Sequence, residues 1–131
     1  MNGRAPDEGW RLSDKDAIAT AVDYEDGVAV LTVGGEVDLA TVPALETAID
    51  EALATQPTAL VVDLSDVEFL ASAGLQTLVT TQEKLGTSIQ FAVVAEGAAT
   101  SRPIQLTGLD EIFELYPTRA EAVTAVKAHR P

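Results

Sequence analysis

The stretch Phe69-Leu70-Ala71-Ser72-Ala73-Gly74-Leu75 sets one hydroxyl among small residues, between an apolar run and an amphipathic one. A serine so placed falls at a strand-to-helix crossover, at the N-cap of the helix that follows. Its oxygen can accept a hydrogen bond from a free N–H of the first turn, and the positive end of the helix dipole lies behind it. A phosphate carried on that oxygen would meet the same free donors. Ala71, Ala73 and Gly74 leave the hydroxyl open to a kinase, and phosphorylation would add roughly −1.5 to −2 charge. Two readings of Ser72 stay open on this pattern, a simple capping serine and the acceptor of a switch.

Two crossover segments carry polar groups among small residues: Glu36, Asp38 and Thr41 in the first, Asp66, Glu68 and Ser72 in the second. Loops at the carboxyl ends of parallel strands are the usual place for function. Both segments follow strands of parallel type, which predicts that they share one edge of a sheet, with Asp38 near Ser72. Asp38 could form an acid/base pair with Glu36 or Glu68, but no glycosidase or protease constellation stands beside them. Ser72 lies in Ala-Ser-Ala-Gly, not G-x-S-x-G, and has no base to activate it. The single His, His129, is next to the C-terminus, and there is no cysteine. Neither a P-loop nor a G-x-G-x-x-G after a strand occurs. A docking and switching module is expected, with no catalysis, no metal and no cofactor.

The elements that must hold these residues can be taken in chain order. Residues 1–16 read as a flexible polar tail in which Trp10 is the exception. Ile18, Thr20, Val22 and Tyr24 alternate with Ala19, Ala21 and Asp23 as in a strand. Glu25-Asp26-Gly27 is a hairpin signal, and Val28 to Val33, apolar on both faces, is an interior strand. Gly34 to Ala40 forms the first crossover. Thr41 caps a helix that begins at Val42-Pro43, carries the apolar stripe Leu45, Ala48, Ile49, Ala52 and Leu53, and stops near Thr55-Gln56-Pro57. Ala59 to Leu64 is a central parallel strand, and Ser65 to Leu70 leads to Ser72. The second helix turns Leu75, Leu78, Val79 and Leu85 inward and ends at Gly86. A strand over Ile89 to Ala95, a helix over Ser101 to Thr107 and a short edge strand within Ile112 to Tyr116 follow. Thr118-Arg119-Ala120-Glu121 is a capping box for a last helix.

The chain has 131 residues, enough for one domain. It is 47% hydrophobic but only 5% aromatic, so Val, Leu, Ile and Ala must build an α/β layered core. Its net charge is −13, and no Lys or Arg occurs between Lys15 and Lys84. That half repels nucleic acid and anionic lipid and steers a basic protein partner toward itself. No apolar run spans a bilayer and no signal-peptide pattern opens the chain, so a cytoplasmic protein is expected, with no direct nucleic-acid or membrane partner.

Four segments together resemble a known family. Gly35-Glu36-Val37-Asp38-Leu39-Ala40-Thr41, Val61 to Phe69, Ser72-Ala73-Gly74-Leu75 and Leu106-Thr107-Gly108-Leu109 are similar, in order and spacing, to the STAS domain of bacterial anti-sigma factor antagonists. The resemblance implies a mixed, mostly parallel sheet of four to five strands with helices mainly on one face, over residues 17–128, with 129–131 as a short tail. It implies binding to an anti-sigma factor that is a Ser/Thr kinase, release of a sigma factor, phosphorylation of Ser72 with Mg-ATP, and reset by a Ser/Thr phosphatase. It implies a partner surface built from Glu36, Asp38, Thr41, Asp66, Glu68, Ala71, Ser72, Ala73, Gly74 and Leu75. Where the family usually has Asp-Ser-Ser-Gly or Asp-Ser-Thr-Gly, this chain has Ala71-Ser72-Ala73-Gly74, which removes one charge beside the hydroxyl and leaves Ser72 the one acceptor in the motif. A STAS adaptor subunit, or a domain sensing a small ligand at the same loops, are the alternatives.

Overall fold

The computed structural model describes residues 18–128; the expected tails, Trp10 and His129 lie outside the described residues. Asp26 and Gly27 hold φ of 53° and 85°, the pair of positive values that a type I′ turn requires. They fold β1 (Ile18–Glu25) back on β2 (Val28–Val37) in antiparallel register, from Glu25↔Val28 to Ile18↔Gly35. The chain then crosses through α1 (Val42–Leu53) to β3 (Ala59–Leu70), and through α2 (Ser72–Leu85) to β4 (Gln90–Val94). A short α3 (Ser101–Leu106) and a single 3-10 turn (Leu109–Glu111) lead to the edge strand β5 (Glu114–Tyr116), and α4 (Arg119–Ala128) closes the described chain. The five strands lie in sequence order, β1 antiparallel and the rest parallel. This is the mixed, mostly parallel sheet that the sequence implies.

The apolar runs divide between two faces because strand side chains alternate. Ala29, Leu31, Val33, Leu60 and Val62 meet Leu45 and Ile49 of α1, Leu75 and Leu78 of α2, and Ile104 of α3. Val28, Val30, Val61 and Val94 meet Ala122, Val123 and Val126 of α4. Three helices therefore cover one face, and α4 covers part of the other. Half of the expected capping box opens α4: the Glu121 N–H donates to Thr118 Oγ1 at 3.1 Å. Arg119–Asp23 and Lys127–Asp26, at 3.3 and 2.8 Å, tie α4 to the hairpin. These pairs are exposed and set its position more than its stability.

Two strands run further than their apolar runs suggest. β2 continues through Gly34-Gly35-Glu36 to Val37, and β3 continues through Ser65-Asp66-Val67-Glu68 to Leu70. Glu36, Asp66 and Glu68 thus sit on strands, not in crossover loops. The ladder survives because it slips: register shifts between Thr32 and Gly34, and again between Gly35 and Glu36, let pairing resume as Gly34↔Asp66 and Glu36↔Phe69. Gly34 permits the approach, since a Cβ there would lie 3.2 Å from the Asp66 Cβ. Among the described residues no helix is long and apolar enough to cross a membrane.

Candidate functional site

β2 and β3 end as a pair, Val37 opposite Leu70. The ladder gains one further bond, from the Ala71 N–H to the Val37 carbonyl at 2.8 Å. That bond sets the next residues, Asp38 and Ser72, on neighbouring strand ends at the carboxyl edge of the sheet. The two crossover segments are brought together as expected.

Asp38 organises the first segment. Its Oδ1 accepts the N–H groups of Ala40 and Thr41 at 3.0 and 3.1 Å, an Asx-type turn. Its carbonyl accepts the N–H of Val42 at 2.9 Å. Thr41 stands at the N-cap of α1, but its side chain does not cap the helix. The hydroxyl turns back, accepting the Asp38 N–H at 2.9 Å and donating to the Glu36 carbonyl at 2.9 Å. It is 1% exposed, so it is a buried brace and does not reach a partner. Thr41→Val keeps the shape and strands both backbone groups, which is expected to destabilise the domain by about 1–3 kcal/mol. A denaturant melt that left the midpoint unchanged would mean the loop holds without this brace.

The second segment departs from the sequence reading by one residue. The N-cap of α2 is Ala71, with φ −83° and ψ 170°, and Ser72 is the first helical residue. Ala71 is held extended because its N–H belongs to the sheet ladder, while its carbonyl already accepts the N–H groups of Gly74 and Leu75 at 2.9 and 3.1 Å. No side chain caps this helix. The Ser72 hydroxyl is exposed and makes no side-chain hydrogen bond among the described residues. It is not a cap; it is a hydroxyl presented to solvent. The missing cap makes a prediction. Ala71→Asp puts an acceptor at the N-cap and a negative charge at the helix start, and is expected to raise stability by roughly 0.5–2 kcal/mol. Unchanged or lower thermal stability would refute this account of the helix start.

The remaining expected site residues divide by burial. Glu36, Asp66 and Glu68 are exposed, and Ala71 and Ala73 are half-buried. Gly74 and Leu75 are buried and face the core, so they shape the surface from beneath. Two residues join the edge that apolar character alone assigns to the core: Leu39 is 80% exposed and Phe69 53%. Phe69 pairs with Glu36 across the strands, and a shallow groove runs from it past Leu70 to Ala98, Arg102, Pro103 and Leu106. The available signal was an isolated apolar residue among acidic ones, Glu68-Phe69 and Asp38-Leu39, but the bulges hide which way such a residue points. The edge is an acidic rim around exposed apolar side chains, with one accessible hydroxyl at the start of a helix.

The sequence model of the STAS domain family matches residues 19–122. RsfB of Mycobacterium tuberculosis, an anti-sigma-F factor antagonist, is 53% identical over 119 residues, which cover 91% of this chain and 98% of RsfB. The crystal structure of an anti-sigma factor antagonist from Mycobacterium paratuberculosis superposes with a TM-score of 0.82 at 57% identity, covering 88% of this chain and 99% of that one. SpoIIAA, an anti-sigma factor antagonist solved in its unphosphorylated form, shares the fold with a TM-score of 0.69 at 17% identity, covering 86% of this chain and 100% of SpoIIAA.

Proposed function

The chain belongs to the STAS domain family, and on that premise we propose that it is an anti-sigma factor antagonist switched at Ser72. It binds an anti-sigma factor of the Ser/Thr kinase class and so frees a sigma factor. Phosphorylation of Ser72 ends that binding, and a Ser/Thr phosphatase restores it.

The observation that carries the reading is the setting of Ser72. Its hydroxyl is exposed at the first position of α2, where the helix dipole and free N–H groups tolerate an added anion. The neighbouring hydroxyls are engaged. Thr41 is buried and braces two backbone groups, and the Ser65 hydroxyl donates to Asp63. In the transfer, Ser72 Oγ attacks the γ-phosphorus of ATP, the bond to the ADP oxygen breaks, and the hydroxyl proton leaves to a base of the kinase. This chain supplies the acceptor and its placement only.

The surface suits a protein partner. Leu39 and Phe69 offer apolar contact, while Glu36, Asp66 and Glu68 form an acidic rim. A partner with a basic rim is steered toward such an edge. The test is an intact-mass measurement after incubation with the anti-sigma kinase and Mg-ATP, with Ser72→Ala in parallel. One added phosphoryl group in the wild type and none in the variant is expected. A stable complex with no addition would leave the edge as a docking surface without phosphoregulation. Addition to both proteins would place the acceptor elsewhere and overturn the assignment.

A further inference from the structure

β3 is longer than its neighbour, and a groove follows from that. β4 pairs with Ala59 to Asp63 and stops, while β3 runs on to Leu70. Past Asp63 no described strand lies on that side of β3; the chain after β4 turns through Gly97 into α3 instead. The Arg102 N–H donates to the Gly97 carbonyl at 3.1 Å, and Ser101 Oγ accepts the Gly97 N–H at 2.9 Å, so the start of α3 is tied to this turn. Ile104 is fully buried, which sets the rotation of the helix. Arg102 and Leu106, four residues apart, share the opposite side and line the groove with Phe69, Leu70, Ala98 and Pro103.

The groove is apolar with one charge in it. Leu106 is 74% exposed and Phe69 53%, and Arg102 is exposed between the same walls. Of the cations among the described residues, Lys84, Arg119 and Lys127 pair with Asp50, Asp23 and Asp26. Arg102 makes no ion pair and no side-chain hydrogen bond among the described residues, although the chain carries a net charge of −13. A guanidinium offers a planar fork that binds a carboxylate through two parallel hydrogen bonds. Arginine and aromatic side chains together are what protein interfaces concentrate at their centres. Phe69 belongs both to this groove and to the edge that presents Ser72, so the two surfaces are continuous.

We propose that the anti-sigma factor reaches past Ser72 into this groove, placing an apolar side chain between Phe69 and Leu106 and a carboxylate on Arg102. The contact rests on the function proposed above and adds a second polarity to it. The acidic rim of Glu36, Asp66 and Glu68 asks for cations on the partner, whereas the groove asks for an anion beside an apolar residue. A partner must match both signs at a fixed spacing, which selects among basic proteins that the rim alone would attract.

Charge reversal separates the two contributions. If long-range attraction to a basic partner were all that mattered, Arg102→Glu would make the chain more acidic and binding no weaker. Paired with a partner carboxylate, the same change sets two like charges against each other and is expected to weaken binding about tenfold or more. Leu106→Ser leaves the charge alone and is expected to weaken it about fivefold or more. Both side chains are exposed, so far-UV circular dichroism and thermal melts should match wild type. The measurement is titration of the purified anti-sigma factor against wild type, Arg102→Glu and Leu106→Ser, with sedimentation of each chain alone. Wild type that binds, with both variants within twofold of it, overturns the groove contact and leaves the proposed function standing. Tighter binding by Arg102→Glu overturns the carboxylate. Wild type that does not bind overturns the proposed function and this contact with it. A wild-type dimer that Leu106→Ser returns to a monomer gives the groove to a second copy of the chain and overturns the proposal too.

Discussion

Ser72→Glu is expected to weaken binding to the anti-sigma factor about a hundredfold or more while leaving the melting temperature within a few degrees of wild type. The two halves of this expectation have separate causes. In the free domain the new carboxylate stands in solvent at the first position of α2, where a negative charge near a helix N-terminus stabilises by about 0.3–1 kcal/mol. In the proposed complex the same charge would be pressed into an interface that also takes in Asp38, Asp66 and Glu68. Burying a charge without a counter-ion costs about 3 kcal/mol or more, and each 1.4 kcal/mol is roughly tenfold in affinity. Ser72→Gln separates charge from bulk, since it has nearly the same size and no charge. Titration of the purified anti-sigma factor against wild type, Ser72→Gln and Ser72→Glu, with thermal melts of each, reads all the terms. Glutamate binding within twofold of wild type would remove Ser72 from the interface. Glutamine binding as weakly as glutamate would make the switch steric, not electrostatic.

The proposed switch needs no rearrangement, because the β2–β3 ladder already sets Asp38 and Ser72 on adjacent strand ends. The Ala71 N–H to Val37 carbonyl bond is an extension of the β2–β3 ladder, and everything in the site is measured from it. Asp38 follows Val37 and holds its loop through the N–H groups of Ala40 and Thr41. Ser72 follows Ala71 and opens its helix. A partner docking at this edge would therefore meet a surface ordered by backbone pairing, on which one phosphoryl group on Ser72 would change charge and shape without changing the fold.

Much of this was legible in the residues, and the limits of legibility have definite causes. Asp26-Gly27 announced the hairpin because few residues adopt two successive positive φ values, and the continuous apolar run Ala59 to Leu64 announced a central strand because such strands are buried on both faces. The ends of β2 and β3 were not legible. Gly34-Gly35 and Ser65-Asp66 have turn composition, yet pairing to a neighbour strand overrides it once a bulge absorbs the mismatch. The same bulges decide that Phe69 faces outward, which no count of alternating residues could give. At the site, the neighbourhood of Asp38 and Ser72 followed from parallel topology, but the helix start was misplaced by one residue. Serine is among the favoured caps before a helix; here the ladder claims Ala71 as the last extended residue, and the cap position falls on a side chain that cannot accept.

Gly74→Val is expected to destabilise the domain by about 3 kcal/mol, lowering the melting temperature by roughly 10–15 °C for a domain of this size. Gly74 lies in the first turn of α2, where the helix rests on the strand ends. A Cβ at this position would fall 2.6 Å from Val37 Cγ1 and 2.8 Å from Leu70 Cδ1. Val37 and Leu70 are both buried, so neither side chain can swing into solvent to make room. Alanine brings one methyl group and gains about 1 kcal/mol of helix propensity over glycine against about 1–3 kcal/mol of overpacking, so Gly74→Ala should remain folded and slightly destabilised. Its informative effect is functional. Val37 and Leu70 immediately precede Asp38 and Ala71, so a helix start that backs away from them stretches the 2.8 Å Ala71–Val37 bond and parts Ser72 from Asp38. Gly74→Ala is therefore expected to slow phosphorylation of Ser72 several-fold at constant kinase and Mg-ATP, and Val37→Ala in the same chain should restore part of the rate by vacating the contact. Rescue of the rate together with further loss of stability is the signature of a spacing effect. Normal phosphorylation in Gly74→Ala would show that the site tolerates a displaced helix, and that the close packing of Gly74 serves the core alone.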